Sequence, residues 1–177
     1  MQKLLLLLLP VVLITPSYAN TQLMPSESAT IEQYHAALNA WSTHKFDDNQ
    51  IRSFVYYWYG LHDKHAPIAK SYELLSESSL EMFFPEITVH NFADYQKWYD
   101  GVGKNIISNR HIVKKLDITM LADHQYKLNV LVNWQGIDKN HKFINIDASQ
   151  EWLLVDGKSE SHPYIQTYRV LKFTPQN

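Results

Sequence analysis

Residues able to do proton chemistry gather at one end of the stretch Asp48–Pro67, DNQIRSFVYYWYGLHDKHAP, whose last turn holds His62, Asp63 and His65. A carboxylate next to an imidazole orients the ring and raises its basicity, as proton abstraction beside a carbonyl requires. Asp63 and His65 are the candidate pair. The local alternative is that Asp63 caps or pairs with a neighbour while His65 bonds a backbone carbonyl at the helix end, where the dipole favours a protonated ring. His62 and His65, three apart, outline a metal site with Asp63. Zinc, however, wants a third and a fourth ligand, and no HExxH or CxxC motif supplies them. The expectation is no metal and no cofactor. His111 is the third catalytic candidate: it sits on the strand face opposite Ile112, with Val113 beside it, and joins the site if that face is the concave one. Otherwise it is a structural histidine bonded to a neighbouring strand. His90 precedes a helix cap and reads as structural, and His35, His44, His124, His141 and His162 fall in polar or turn segments that read as exposed.

The element that must position these groups is an aromatic helix. Ile51, Phe54, Val55, Trp58 and Leu61 recur at the three-and-four spacing of a buried face. Asp47 or Asp48 can cap its start, and Ala66-Pro67 ends it near His65. A greasy face that runs out into an acid and two imidazoles is what the wall and mouth of a small-molecule pocket would look like. Trp58, Tyr59 and His62, with Trp98 and Trp134, are the candidate lining. Such rings suit a flat, apolar or aromatic ligand.

Composition narrows the classes. Lys3 precedes an apolar run from Leu4 to Ile14, interrupted only by Pro10, and Ser17-Tyr18-Ala19 follows with small residues where a signal peptidase reads. That run is short of the roughly 20 residues of a membrane span. The expectation is a signal peptide over 1–19 cleaved after Ala19, a periplasmic or secreted protein with no membrane attachment after cleavage, a tail and short helix over 20–45, and one domain over 46–175. There is no cysteine, so disulfides and thiolate metal sites are excluded. A net charge of −2 without a basic patch gives nucleic-acid binding no support. There is no G-x-S-x-G elbow, phosphate loop or dinucleotide fingerprint.

The order of elements follows from periodicity. Asn20 to Ser28 reads as a disordered tail, followed by a short helix from Thr30 to Trp41 with Ile31, Tyr34, Leu38 and Trp41 in one stripe and Ser28 or Thr30 as cap. After the aromatic helix come a short helix over Ile68–Leu75, a strand over Leu80–Phe84, and a helix over Phe92–Val102 capped by Asn91 and ended by Gly101 and Gly103. Period 2 then takes over. Ile112, Leu116, Ile118 and Met120 form one strand face, alternating with His111, Lys115, Asp117 and Thr119, Tyr126 to Trp134 form the clearest half-buried strand, and Gly136 to Lys142 turns the chain. Phe143 to Val155 is a third long strand, Asp156-Gly157 signals a hairpin turn, and Tyr164 to Phe173 is a last strand with two nearly equally apolar faces. Helices followed by long antiparallel strands mean an α+β fold.

This order resembles the NTF2-like superfamily, in particular its SnoaL-like branch. The likeness covers roughly Phe46 to Phe173 and is carried by Phe54-Val55-Tyr56-Tyr57-Trp58, by Leu61-His62-Asp63 with His65-Ala66-Pro67, and by Met82-Phe83-Phe84-Pro85. Trp98-Tyr99, Asn109-Arg110-His111, Val130-Leu131-Val132-Asn133-Trp134 and Gln150-Glu151-Trp152 complete it. The resemblance implies an NTF2-like cone, with N-terminal helices packed on a curved, mixed, mostly antiparallel sheet. The enzymes of the superfamily typically work without metal, through one acid–base residue and one or two hydrogen-bond donors inside the cone, and the resemblance carries that expectation here. Such proteins include isomerases, dehydratases and polyketide cyclases, and also non-catalytic binding domains. No ketosteroid isomerase or scytalone dehydratase pattern aligns residue by residue. Two readings follow: a binding domain for a small apolar or aromatic molecule, and a cofactor-free acid–base enzyme. An apolar outer sheet face would favour a homodimer.

Overall fold

The computed structural model describes residues 31–36, 38, 44–121 and 124–176. The expected signal peptide, its cleavage after Ala19, the tail, the Ser28 or Thr30 cap and Trp41 lie outside the described residues. Residues 31–36 are helical (α1), as is 38, but Ile31, Tyr34 and Leu38 are exposed, so that stripe does not pack on the core.

The aromatic helix, α2 (Asp48–Asp63), begins where Asp47 accepts from the Gln50 backbone N–H at 2.8 Å and Gln50 returns a bond to the Asp47 N–H at 2.9 Å. This reciprocal cap satisfies two donors that the first turn leaves unpaired. Ile51, Phe54, Val55, Trp58, Tyr59 and Leu61 are buried, while Tyr56 and Tyr57 face outward. The helix stops at Asp63, two residues earlier than the sequence suggests. His65 takes the left-handed backbone (φ 47°) usual for a glycine after a helix, the Ala66 N–H reaches the Leu61 carbonyl, and Pro67 follows.

A single turn, α3 (Ala69–Tyr72), occupies only the start of the expected second helix. Strand β1 (Glu81–Phe83) is followed by a two-residue strand, β2 (Thr88–Val89), too short to show in the sequence pattern. Helix α4 (Phe92–Asn105) is capped by Asn91 accepting from the Asp94 N–H, as expected. It does not end at Gly101 or Gly103: neither glycine adopts positive φ, and the helix runs on to Asn105 and straight into β3.

Four long strands complete the chain: β3 (Ile106–Leu121), β4 (Gln125–Asp138), β5 (Phe143–Val155) and β6 (Tyr164–Pro175). The sheet order is β2-β1-β6-β5-β4-β3, with only β1 and β6 parallel. Strand β4 extends through Gly136, and β5 joins β6 by a loop over 156–163 rather than a tight Asp156-Gly157 turn.

Bulges decide which side chains point inward. In β3, Val113 faces Val132 and Lys115 faces Leu131, so Lys114 is an extra residue. It reverses the alternation, which puts His111 and Val113 on the same face as Leu116 and leaves Ile112 on the other. The expected grouping of Ile112 with Leu116 fails for that reason. In β6, Gln166 and Leu171 are extra residues, and Ile165, Tyr168, Val170 and Phe173 turn to the concave side. A strand with two phase changes looks apolar on both faces in sequence. Each bulge also adds bend and twist. The result is an α+β cone in which α2 and α4 cover the concave face of a curved, mostly antiparallel sheet.

Leu128 is fully buried on β4 and its neighbour Asn129 faces out. Leu128→Ala is expected to cost about 2–5 kcal/mol by chemical denaturation, and Asn129→Ala to stay within about 0.5 kcal/mol.

Candidate functional site

A cavity of about 530 Å³ opens between α2, α4 and the concave face of β3 to β6. Trp58, Tyr59, His62, Trp98, Trp134 and His111 all line it. Phe84 stacks on Trp98 at 4.2 Å and extends the aromatic wall, while the exposed Glu86, Lys97 and Asn105 stand at its mouth.

Asp63 does not touch the cavity. It stands behind His111 and accepts twice from it, from the ring Nδ1 at 2.5 Å and from the backbone N–H at 3.1 Å. A carboxylate accepts only, so Nδ1 carries a proton, and in the neutral ring Nε2 carries the lone pair. Nε2 has no partner among the described residues, and the ring borders the cavity. Tyr59 stacks on His111 at 4.9 Å with 20° between planes, fixing the ring's tilt.

The expected pairing of Asp63 with His65 is corrected here. His65 lies past the helix end, its left-handed backbone turns it away from Asp63, and it does not line the cavity. Its Nε2 meets Asn109 Nδ2 at 3.3 Å. His62 and His65 therefore share no helix face. His62 uses both ring nitrogens internally: Nδ1–H donates to the Trp58 carbonyl at 2.8 Å, and Nε2 accepts from the Tyr95 hydroxyl at 3.0 Å. Burial lowers the His62 pKa to about 4, partly opposed by the bond to Trp58, so the ring is neutral near pH 7. The same burial raises the Tyr95 and Tyr59 pKa values and keeps both hydroxyls as donors. Outside the site, His44 and His162 are half-buried rather than exposed. His44 bonds the Leu121 carbonyl and His162 stacks on Phe54.

Several cavity residues escape a sequence reading. Trp134 Nε1–H donates to Asn109 Oδ1 at 2.8 Å, linking the wall through Asn109 to His65. Gln150 is buried, lines the cavity and accepts from Tyr59 and Trp152. Tyr168 is buried beside it. The one available signal was Gln150 interrupting the apolar face of β5 between Ala148 and Trp152.

No family model matches the chain, and no curated protein matches it. Solved structures do. A provisionally assigned scytalone dehydratase from Novosphingobium aromaticivorans is 12% identical, with 73% of this chain and 87% of that chain aligned at a TM-score of 0.60. An NTF2-like superfamily protein from Salmonella enterica is 10% identical over 85% of this chain and 94% of that one, at 0.59. ActVI-ORFA from Streptomyces coelicolor is 14% identical over 69% and 93%, at 0.55. The chain has the NTF2-like fold expected from its sequence.

The neutral, buried His62 makes stability depend on pH. Below its ordinary pKa of 6.5 the unfolded chain gains a proton that the folded one refuses until about 4. Stability present above pH 6.5 is therefore lost as pH falls toward 4, by about 3 kcal/mol. His62→Gln, which can keep both hydrogen bonds and does not titrate, is expected to remove that part of the slope in denaturation measured across the window.

Proposed function

We propose that the cavity takes a small apolar or aromatic carbonyl compound and that His111 removes a proton from it, without cofactor, in an isomerase-, dehydratase- or cyclase-type reaction. The observation that carries the reading is the double contact from Asp63 to His111, which leaves the Nε2 lone pair at an aromatic cavity wall. The C–H next to a carbonyl gives its proton to Nε2, and the electron pair moves onto the carbonyl oxygen. Asp63 stays ionised and balances the imidazolium that forms. Return of the proton to a different carbon isomerises the compound. Delivery to a departing hydroxyl dehydrates it. The assignment of the Novosphingobium neighbour as a dehydratase is in keeping with this class. The proposal includes export, argued from residues 1–19, to a compartment where nucleotide cofactors are scarce.

A binding domain without turnover shares this cavity, and one experiment separates the two. Apolar aromatic ketones are screened for a rise in melting temperature. Those that bind are followed by NMR for exchange of the C–H next to the carbonyl in deuterated water. The enzyme reading predicts acceleration over buffer that falls about 100-fold or more in His111→Ala, with a smaller loss in Asp63→Asn. Binding with equal exchange in all three proteins leaves a binding domain.

A further inference from the structure

Proton abstraction beside a carbonyl needs a second group, one that meets the oxygen as it gains charge. The cavity wall is largely aromatic and aliphatic, and Gln150 interrupts it. This side chain is 5% exposed, on β5 between Ala148 and Trp152. Its amide orientation is forced by chemistry. Trp152 Nε1–H is a donor only and meets one end of the amide at 3.0 Å, so that end is the oxygen. The Tyr59 hydroxyl reaches the same oxygen at 2.7 Å. The NH2 group therefore stands at the other end, within hydrogen-bond reach of the Tyr168 hydroxyl oxygen. An amide NH2 carries two hydrogens, so one remains when the Tyr168 oxygen takes the other. Tyr168 lies alongside, lining the cavity, with Gln150 and Tyr59 both within hydrogen-bond reach of its hydroxyl and burial keeping that hydroxyl protonated.

The distance to His111 is set by one ring. Tyr59 lies face to face with the imidazole at 4.9 Å and reaches Gln150 with its hydroxyl. The amide and the imidazole are thus held on neighbouring parts of the same wall by a shared side chain.

We propose that the Gln150 amide, with the Tyr168 hydroxyl beside it, is the donor end of the cavity and takes the carbonyl oxygen of a flat apolar ketone whose acidic C–H lies against His111. This rests on the reading above for the reaction, and it adds the ligand's chemistry: a fused-ring or aryl ketone in place of a hydrocarbon.

The test uses a matched pair, 2-tetralone and tetralin, which share a ring skeleton and differ in the carbonyl. Each is titrated against wild type, Gln150→Met and Tyr168→Phe, read by tryptophan fluorescence, since Trp58, Trp98 and Trp134 line the cavity. The expected result is that ketone affinity relative to hydrocarbon falls about tenfold in Gln150→Met, the equivalent of one buried hydrogen bond, and falls also in Tyr168→Phe. Unchanged tetralin affinity shows that the cavity is intact. Tyr168→Phe leaves both bonds to the Gln150 oxygen untouched, so it reports even if Gln150→Met folds poorly. An unchanged ketone-to-hydrocarbon ratio in both variants, or a wild type that does not bind 2-tetralone, overturns the donor end. Deuterium exchange in bound 2-tetralone is read separately. Exchange absent from a protein that keeps its ketone discrimination removes the proton transfer and leaves the donor end standing.

Discussion

A carboxylate at the C-terminal end of a helix faces the negative pole of the helix dipole, an arrangement that costs about 0.3–1 kcal/mol by itself. Asp63 occupies that position at the end of α2. Its two charge-assisted bonds to His111 offset the cost and tie the helix end to strand β3, 48 residues away. The rest of the site depends on this clamp. It sets the depth of α2 over the sheet, chooses the tautomer of His111 and turns the ring flat against Tyr59. Tyr59 then orients Gln150. One acid organises the wall of the cavity without touching the space inside it.

The sheet makes the clamp geometrically available. Lys114 adds one residue to β3, and that phase change brings His111 to the concave face while Leu116, Ile118 and Met120 remain in the core. The extra residues in β6 do the same for Tyr168 and Val170. Histidine 62 plays the opposite part to His111. Both of its nitrogens are spent inside the protein, and burial holds it neutral, so it joins α2 to Tyr95 of α4 as a structural strut. Two imidazoles on one cavity wall thus have different fates, decided by whether one nitrogen is left over.

Much of this was legible in the sequence and some was not, for physical reasons. The buried stripe of α2, the Asn91 cap and the alternation through Tyr126–Trp134 are local signals, and they specify elements well. Pairing across the fold is not local. Asp63 has His65 two residues away in sequence, yet its partner is His111, because His65 adopts a left-handed turn and His111 arrives on another element. Bulges leave no composition signature, so the face of Ile112 and the buried side of β6 could not be read. Gly101 and Gly103 look like helix ends, but α4 continues through them because Asn105 leads directly into β3. A lone glutamine in a strand resembles a solvent-facing residue, which hides Gln150. The five expected lining residues do border the cavity, since large aromatic side chains near a concave face have few other places to go.

The central claim is that Asp63 holds His111 as the Nδ1–H tautomer with its Nε2 lone pair directed at the cavity. Long-range proton–nitrogen correlation spectra of the labelled protein, at mildly alkaline pH, test it most directly. The signal absent from His111→Ala identifies the ring. The account predicts a protonated Nδ1 and an unprotonated Nε2, a changed pattern in Asp63→Asn, and a shift confined to Nε2 when 2-tetralone is added. A ring protonated at Nε2 instead, or one indifferent to Asp63→Asn, would contradict it.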